Sequence, residues 1–360
     1  MKQETFRWRK AIELLLRKKL DLFLLDDPIS IFYLTDVRLS LGRLWIGREK
    51  KRLFVDGRYF EEAKKKANCE VDLFSEERLQ EFFLSLDRKE IKVGFDSGAM
   101  TLLSYQKLSQ LKETTAQKGI QVTFEALENP FRALRLIKEA EEIDALKTSA
   151  VICWKGFEHI CSLLKEGVSE KEIAWQFERF CRELGADAMS FDPIVSFGEN
   201  SAFPHHRPGT ALLKQNDIAL IDLGVMVDHY ASDMTRTIFI GTPHPKLAEF
   251  YSIVQRAQRK ALAFCKPGER LGSLDKAARD FISSCGFGDL FVHRLGHGVG
   301  LEVHESPSIS TEGEDRDLIL EAGMVFTIEP GIYQAGLGGV RYEDTIVITE
   351  QGYENFYSIW

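Results

Sequence analysis

The stretch "DIALIDLGVMVDHYASDMTRTIFIG", residues 217–241, limits the folds open to this chain more than any other. It holds two apolar runs rich in β-branched residues, so it reads as two strands with "MVDHYAS" as the hairpin between them. Yet Asp222 sits inside the first run, between Ile221 and Leu223, and Asp233 stands just before the second. The hairpin would bring the two carboxylates together. A carboxylate in a buried strand is costly unless a cation or a metal faces it.

The oddity recurs. Glu329 ends the run in "MVFTIEPGIY", and Glu343 with Asp344 interrupts "GGVRYEDTIVIT". Taken singly, each carboxylate is explained by a solvated strand face or by a salt bridge to Arg236 or Arg341. Four such positions in separate strand-like runs weaken that explanation. Between them lies "FVHRLGHGVGLEVHE", which spends His293, His297 and His304, three of the chain's eight histidines, around a glycine cluster. Gly296, Gly298 and Gly300 are expected to permit close backbone approach and unusual φ.

Asp222, Asp233, His297, Glu329 and Glu343 together offer four carboxylates and one imidazole. Two divalent cations would neutralise that charge. Hard oxygen donors suit Mn²⁺ or a similar ion better than a thiolate zinc site would. Two such ions ~3.5–4 Å apart can share a hydroxide and bind both oxygens of a tetrahedral intermediate. Other chemistries lack their motifs: the chain has no G-x-x-x-x-G-K-[ST], H-E-x-x-H, EF-hand loop or G-x-S-x-G, and "GHGVGL" is not a dinucleotide fingerprint.

Organisation along the chain agrees with two domains. The first third alternates helix and strand signals: "WRKAIELLLRKKL" and "RYFEEAKKKAN" as helices, "LDLFLLDD", "RLFVDGRY", "EVDLF" and "KVGFDSG" as strands. A boundary is expected near Pro130, which divides residues 1–126, an α/β domain, from 127–360, an α+β domain. The second part carries helix patterns at roughly 138–166, 169–184, 245–265 and 271–284.

The net charge of −8 argues against a nucleic-acid surface. Six cysteines without a C-x-x-C pair point to free thiols in a reducing cytoplasm. Charges break the apolar stretches of the N-terminus, so neither a signal peptide nor a membrane span of ~18 apolar residues is expected.

With these residues in hand, the chain resembles the pita-bread metallopeptidases, in the Xaa-Pro aminopeptidase (aminopeptidase P) and prolidase branch. The matching segments are "SFDPIVSFGENSAFPHHRP", "IALIDLGVMVDHYASDMTRT", "HRLGHGVGLEVHE", "GMVFTIEPGIY" and "GGVRYEDTIVITEQGYE". "FYLTD" and "LFVDGRYFEEAKK" are similar to the creatinase-type domain that precedes the catalytic domain in this branch. The resemblance implies an α+β, pita-bread C-terminal domain behind a smaller α/β domain. It implies metal ligands at Asp222, Asp233, His297, Glu329 and Glu343, with Asp233 and Glu343 bridging two ions, Mn²⁺ first with Co²⁺ or Zn²⁺ as alternatives. Glu329 would also serve as general acid and base. His304 and His293 would bind substrate and aid the oxyanion. His205 would contact the scissile amide, with His206 as the competing choice within "PHHRP". Arg341 would line the pocket or support the ligand shell.

The implied reaction is removal of the first residue from peptides with proline second. Proline's nitrogen has no hydrogen and its ring fixes φ near −65°, so proteases that grip an extended strand cannot hold it normally. The alternatives are a prolidase restricted to Xaa-Pro dipeptides and, in another class, a non-catalytic pita-bread binding module. Partners are peptides alone, with neither nucleic acid nor membrane, and a homodimer is among the assemblies the resemblance allows.

Overall fold

The computed structural model describes residues 6–358. The opening stretch Met1–Thr5 of the N-terminal reading lies outside them. The chain divides into two compact units between Leu134 and Arg135.

The first unit is a six-stranded mixed sheet with helices. Its strands are β1 (Leu22–Leu25), β2 (Gly42–Gly47), β3 (Lys51–Val55), β4 (Glu70–Leu73), β5 (Glu90–Asp96) and β6 (Gln121–Leu127), in the spatial order β4-β3-β2-β1-β5-β6. All four residues of β1 are buried, as a central strand covered on both faces requires. The helices are α1 (Phe6–Arg17), α2 (Pro28–Thr35), α3 (Phe60–Lys66), α4 (Glu76–Leu84) and α5 (Leu102–Ala116). Asp27 caps α2 with Pro28 in its first turn, and Ser75 and Thr101 cap α4 and α5. Trp45, Phe54, Phe82 and Phe83 form an edge-packed aromatic core under the sheet. "GRLWIG" and "PISIFYLT" became β2 and α2, although neither has a period that announces its element.

The short α6 (Arg132–Leu136) leads into the second unit. Its helices are α7 (Ala140–Cys161), α8 (Glu170–Glu183), α9 (Pro245–Leu262) and α10 (Leu271–Ser284). Its strands are β7 (Ala188–Met189), β8 (Ile194–Phe197), β9 (Ile218–Leu223), β10 (Val225–Val227), β11 (Tyr230–Ala231), β12 (Met234–Phe239), β13 (Gly296–Gly298), β14 (Glu305–Ile309), β15 (Val325–Ile328), β16 (Gly331–Gln334), β17 (Gly338–Arg341), β18 (Asp344–Ile348) and β19 (Tyr353–Asn355). They form antiparallel sheets in the orders β12-β9-β8, β11-β10-β7, β14-β13-β15-β18-β19 and β16-β17. Phe250, Val254, Leu274, Ala278 and Ile282 of α9 and α10 pack with Phe326, Ile328 and Ile346 of the five-stranded sheet.

The hairpin read in "MVDHYAS" is present. β10 and β11 turn through Asp228 and His229, both with positive φ (48° and 72°), the backbone that a two-residue turn between twisted strands requires. β9 and β12 then pair with Asp222 opposite Thr235.

Candidate metal centre

The carboxylates and the imidazole come from ends and interruptions of strands, where the sheets meet. Asp222 is the fifth residue of β9, Asp233 directly precedes β12, Glu329 directly follows β15 and Glu343 directly precedes β18. His297 is the middle residue of β13, next to an irregularity in its register with β14. Asp222, Asp233 and Glu343 are buried at 8%, 4% and 1% exposure, which leaves little water to solvate three negative charges.

Three overlapping sets have all their donor atoms within 4.8 Å of one another: Asp222 with Asp233 and Glu343, His297 with Glu329 and Glu343, and Asp233 with His297 and His304. The His297 Nε2 lies 3.3 Å from Glu329 Oε1 and 3.6 Å from Asp233 Oδ2. Thr235 Oγ1 donates to Glu343 Oε2 at 2.6 Å, and Thr327 Oγ1 donates to Glu329 Oε1 at 3.3 Å. Thr327 Oγ1 also accepts from the His297 backbone N–H at 3.1 Å, so it ties two candidate ligands together.

Electrostatics show what this arrangement costs. Burial first, and then Glu343, Asp222 and Glu329, push the Asp233 pKa well above the ordinary carboxylate value. Burial, then Glu329 and Asp222, do the same to Glu343. Glu329 is pushed up to about 8, mainly by burial, with Arg341 pulling the other way. Burial and then His304 lower His297 to about 3, so it stays neutral with a lone pair available for a ligand.

Salt bridges explain part of the set. Arg341 Nη2 donates to Asp222 Oδ2 at 2.5 Å, and Arg236 Nη2 to Asp344 Oδ1 at 2.6 Å. Asp344 also accepts from Gln258 at 2.9 Å, so it is a structural carboxylate. Among the described residues, no lysine or arginine forms an ion pair with Asp233, Glu329 or Glu343. Asp222 Oδ1 is buried without a hydrogen-bond partner. Such an orphaned oxygen, beside three carboxylates without a cationic partner, fits one or more hard divalent cations.

The other expected residues are placed as follows. His304 is exposed and packs edge-on against His297 at 4.2 Å between ring centroids. His293 Nε2 meets Tyr333 Oη at 2.9 Å; burial, then Arg341, lower its pKa to about 4. His205 is exposed and close enough to contribute to the lowered pKa values of both His293 and His304, where burial is the main cause. His206 turns away and meets Glu170 Oε2 at 2.9 Å. Arg341 is 3% exposed, and its guanidinium is spent on Asp222, Thr235 Oγ1 (3.0 Å), Tyr333 Oη (2.8 Å) and Pro204 O (3.4 Å).

Sequence reasoning missed Tyr333, Thr235 and Thr327. The two threonines had a signal: Thr327 lies two residues before Glu329 and Thr235 two residues after Asp233, the spacing that puts side chains on one face of an extended chain. Tyr333 had none, because an aromatic in a strand ordinarily reads as core.

The glycine expectation holds in one half and fails in the other. A Cβ on Gly298 would lie 2.1 Å from Ser306 O, and one on Gly296 would lie 2.1 Å from Thr327 O. None of Gly296, Gly298 and Gly300 has a positive φ, however. Gly296 and Gly298 allow close approach between strands, and Gly300 leaves room for the Glu305 side chain; none of them makes a left-handed turn. Gly298→Ala should therefore destabilise the protein by ~1–3 kcal/mol, through overpacking against backbone that cannot rotate away. Urea denaturation measures it, and an unchanged midpoint and slope would refute this account of the loop.

A buried site of carboxylates around a neutral imidazole, on antiparallel sheets backed by helices, is the donor set of a metal-dependent hydrolase. The chain belongs to metallopeptidase family M24, whose model matches residues 144–350, and a creatinase/prolidase N-terminal domain matches residues 7–137. The fold is thus a creatinase-type N-terminal domain followed by a C-terminal pita-bread domain. The Xaa-Pro dipeptidase of Pyrococcus furiosus is 35% identical over 347 residues, 96% of each chain. Among solved structures, the prolidase of Pyrococcus horikoshii OT3 is 35% identical with a TM-score of 0.87, over 98% of each chain. The X-Pro aminopeptidase of Thermotoga maritima is 31% identical with a TM-score of 0.86, over 98% of this chain and 97% of that one. No helix among the described residues is long and apolar enough to cross a membrane.

Proposed function

We propose that the protein hydrolyses the Xaa-Pro bond, with Xaa-Pro dipeptides as its main substrates, and that residues 127–360 carry the chemistry. The observation behind this reading is the carboxylate and imidazole cluster, in a chain alignable over nearly its whole length with a relative named an Xaa-Pro dipeptidase. Asp222, Asp233, His297, Glu329 and Glu343 are the residues that would hold two divalent ions, Mn²⁺ first among them. When bound, such ions supply Lewis acidity and make water a stronger acid.

The chain's own groups do the rest. Glu329, which stands in the cluster with its Oε1 3.3 Å from His297 Nε2, would take a proton from the attacking water and pass it to the leaving proline nitrogen. His304 is exposed beside His297 and would donate to the developing oxyanion. His205 would orient the scissile amide from the opposite loop, and His293 would stand behind it on Tyr333. Arg341 is assigned to holding Asp222 and Tyr333, since substrate contact would require one of its present bonds to open. Six cysteines without a disulfide agree with a reducing, cytoplasmic setting.

An Xaa-Pro aminopeptidase, the reading that the sequence favoured, keeps one specific support. A strict dipeptidase needs a cation for the proline carboxylate, and the guanidinium of Arg341 is already committed. The two readings separate on a peptide panel. With Mn²⁺ present, kcat/KM for an Xaa-Pro dipeptide should exceed that for the matching Xaa-Pro-Yaa tripeptide by at least ~10-fold, the rate equivalent of about 1.4 kcal/mol. Xaa-Ala-Yaa should not be cleaved at a comparable rate. Equal or better cleavage of the tripeptide would reject the dipeptidase reading in favour of the aminopeptidase.

A further inference from the structure

Glu170 is the first residue of α8, directly after the N-cap Ser169, and is 0% exposed. A glutamate in a first helical turn needs no burial, because water and the helix dipole already favour its charge there. Its burial has another explanation in its hydrogen bonds. Oε1 accepts from Phe197 N at 2.8 Å and from Asn200 Nδ2 at 2.9 Å. Oε2 meets His206 Nε2 at 2.9 Å and accepts from Gly209 N at 2.9 Å. Burial alone would push the Glu170 pKa up, but the donors from Asn200, His206, Phe197 and Gly209 outweigh it and hold the carboxyl below the ordinary value.

These partners bracket one loop. Phe197 closes β8, and Gly209 lies beyond "PHHRP". Between them the chain makes a 3-10 turn, Gly198–Ala202, and passes through Phe203 and Pro204 to His205. On the other side, Gly339 N donates to Ser201 Oγ at 2.8 Å, and Arg341 Nη1 approaches Pro204 O at 3.4 Å. The loop is therefore held between α8 and the strand that ends in Arg341. His206 is drawn inward onto the carboxylate, while His205 stays exposed, in electrostatic reach of His293 and His304.

We propose that Glu170 is a positioning residue for His205: a single buried carboxylate latches both ends of the loop 197–209 and so fixes where its histidine stands in the pocket. It rests on the reading above that His205 meets the substrate. Glu170 does not touch the substrate, and Asn200 and His206 act with it. The arrangement also gives "PHHRP" two different histidines: one anchors the loop and its neighbour faces the chemistry.

The test is a double-mutant cycle of Glu170→Gln and His205→Ala in the full chain loaded with Mn²⁺. Glutamine has the shape of glutamate but turns one acceptor oxygen into a donor, so the backbone N–H that faces that atom, from Phe197 or Gly209, loses its acceptor. Glu170→Gln should lower kcat on an Xaa-Pro dipeptide roughly tenfold or more, with metal content unchanged and KM altered far less. In the His205→Ala background it should cost nothing further, because the residue it positions is gone. Amide hydrogen exchange should quicken across 197–209 and stay unchanged across 218–223. Losses that multiply in the double variant would overturn the proposal, and so would unchanged exchange in the loop, a readout that does not depend on activity. A His205→Ala variant as active as the wild type would instead reject the assignment of His205, whatever the loop does. Should Glu170→Gln not fold, Asn200→Ala and His206→Ala each remove one side-chain partner of Glu170, and the same cycle with His205→Ala is read from them.

Discussion

Removal of divalent cations should lower hydrolysis of Xaa-Pro substrates by at least ~10³-fold, the rate equivalent of about 4 kcal/mol of lost transition-state stabilisation, and Mn²⁺ should restore it. The expectation comes from an imbalance of charge. Asp233, Glu329 and Glu343 have their pKa values raised by burial and by one another, and Asp222 leaves one buried oxygen without a partner. Arg341 is the one guanidinium paired with the set among the described residues, and of the set it bonds to Asp222 alone. Divalent cations would relieve the repulsion, so they should also stabilise the fold, by ~2.7 kcal/mol at a free ion concentration 100 times Kd. Elemental analysis, activity after chelation and the shift in Tm on adding Mn²⁺ read the three parts separately. Full activity in a preparation with no detectable metal would end the metallopeptidase reading.

Glu343→Ala and His304→Ala should fail in different ways. Glu343 is 1% exposed and lies within 4.8 Å of the donors of Asp222, Asp233, His297 and Glu329 across two overlapping sets. Its loss removes a carboxylate central to the cluster, so metal content and activity should fall together, the latter to near background. The same substitution removes one of several mutually repelling carboxylates, so the cation-free protein should keep its Tm while the stabilisation by Mn²⁺ shrinks. His304 is exposed and stands at the edge of the cluster, beside His297 and Asp233. His304→Ala should keep the metal and lose turnover by roughly 10²-fold, as the removal of one oxyanion donor does. Equal metal loss in both variants would move His304 from the substrate side into the ligand set.

The boundaries of the strands mark the limit of what a linear reading can do. "MVFTIEPGIY" has the pattern of one strand, yet it breaks at Glu329 and Pro330 into β15 and β16, which belong to different sheets. "DIALIDLGV" breaks at Gly224, where a Cβ would lie 2.2 Å from Ser232 O. "VRYEDTIVIT" breaks at Tyr342 and Glu343, between β17 and β18. Three of the four candidate carboxylate ligands thus stand at such breaks or strand starts, where the chain leaves one sheet and its side chains can converge.

From the sequence alone, a cluster of carboxylates could be expected, because carboxylates inside apolar strand runs violate a strong solvation rule and so stand out without any partner in view. The close approach at Gly296 and Gly298 was legible for a similar reason: repeated glycine beside histidine has few other uses. The tertiary structure decided the pairings. Arg341 chose Asp222, 119 positions away, while Arg236 chose Asp344, 108 positions away, and both choices were open on charge alone. It also decided that His206 meets Glu170 while His205 stays exposed, and that an ordinary glutamate at a helix start accepts hydrogen bonds from a distant loop. Local sequence reports the solvation cost of a group, which is a property of the group and its immediate neighbours. Which partner meets that cost depends on directions and distances that exist only after the chain has folded.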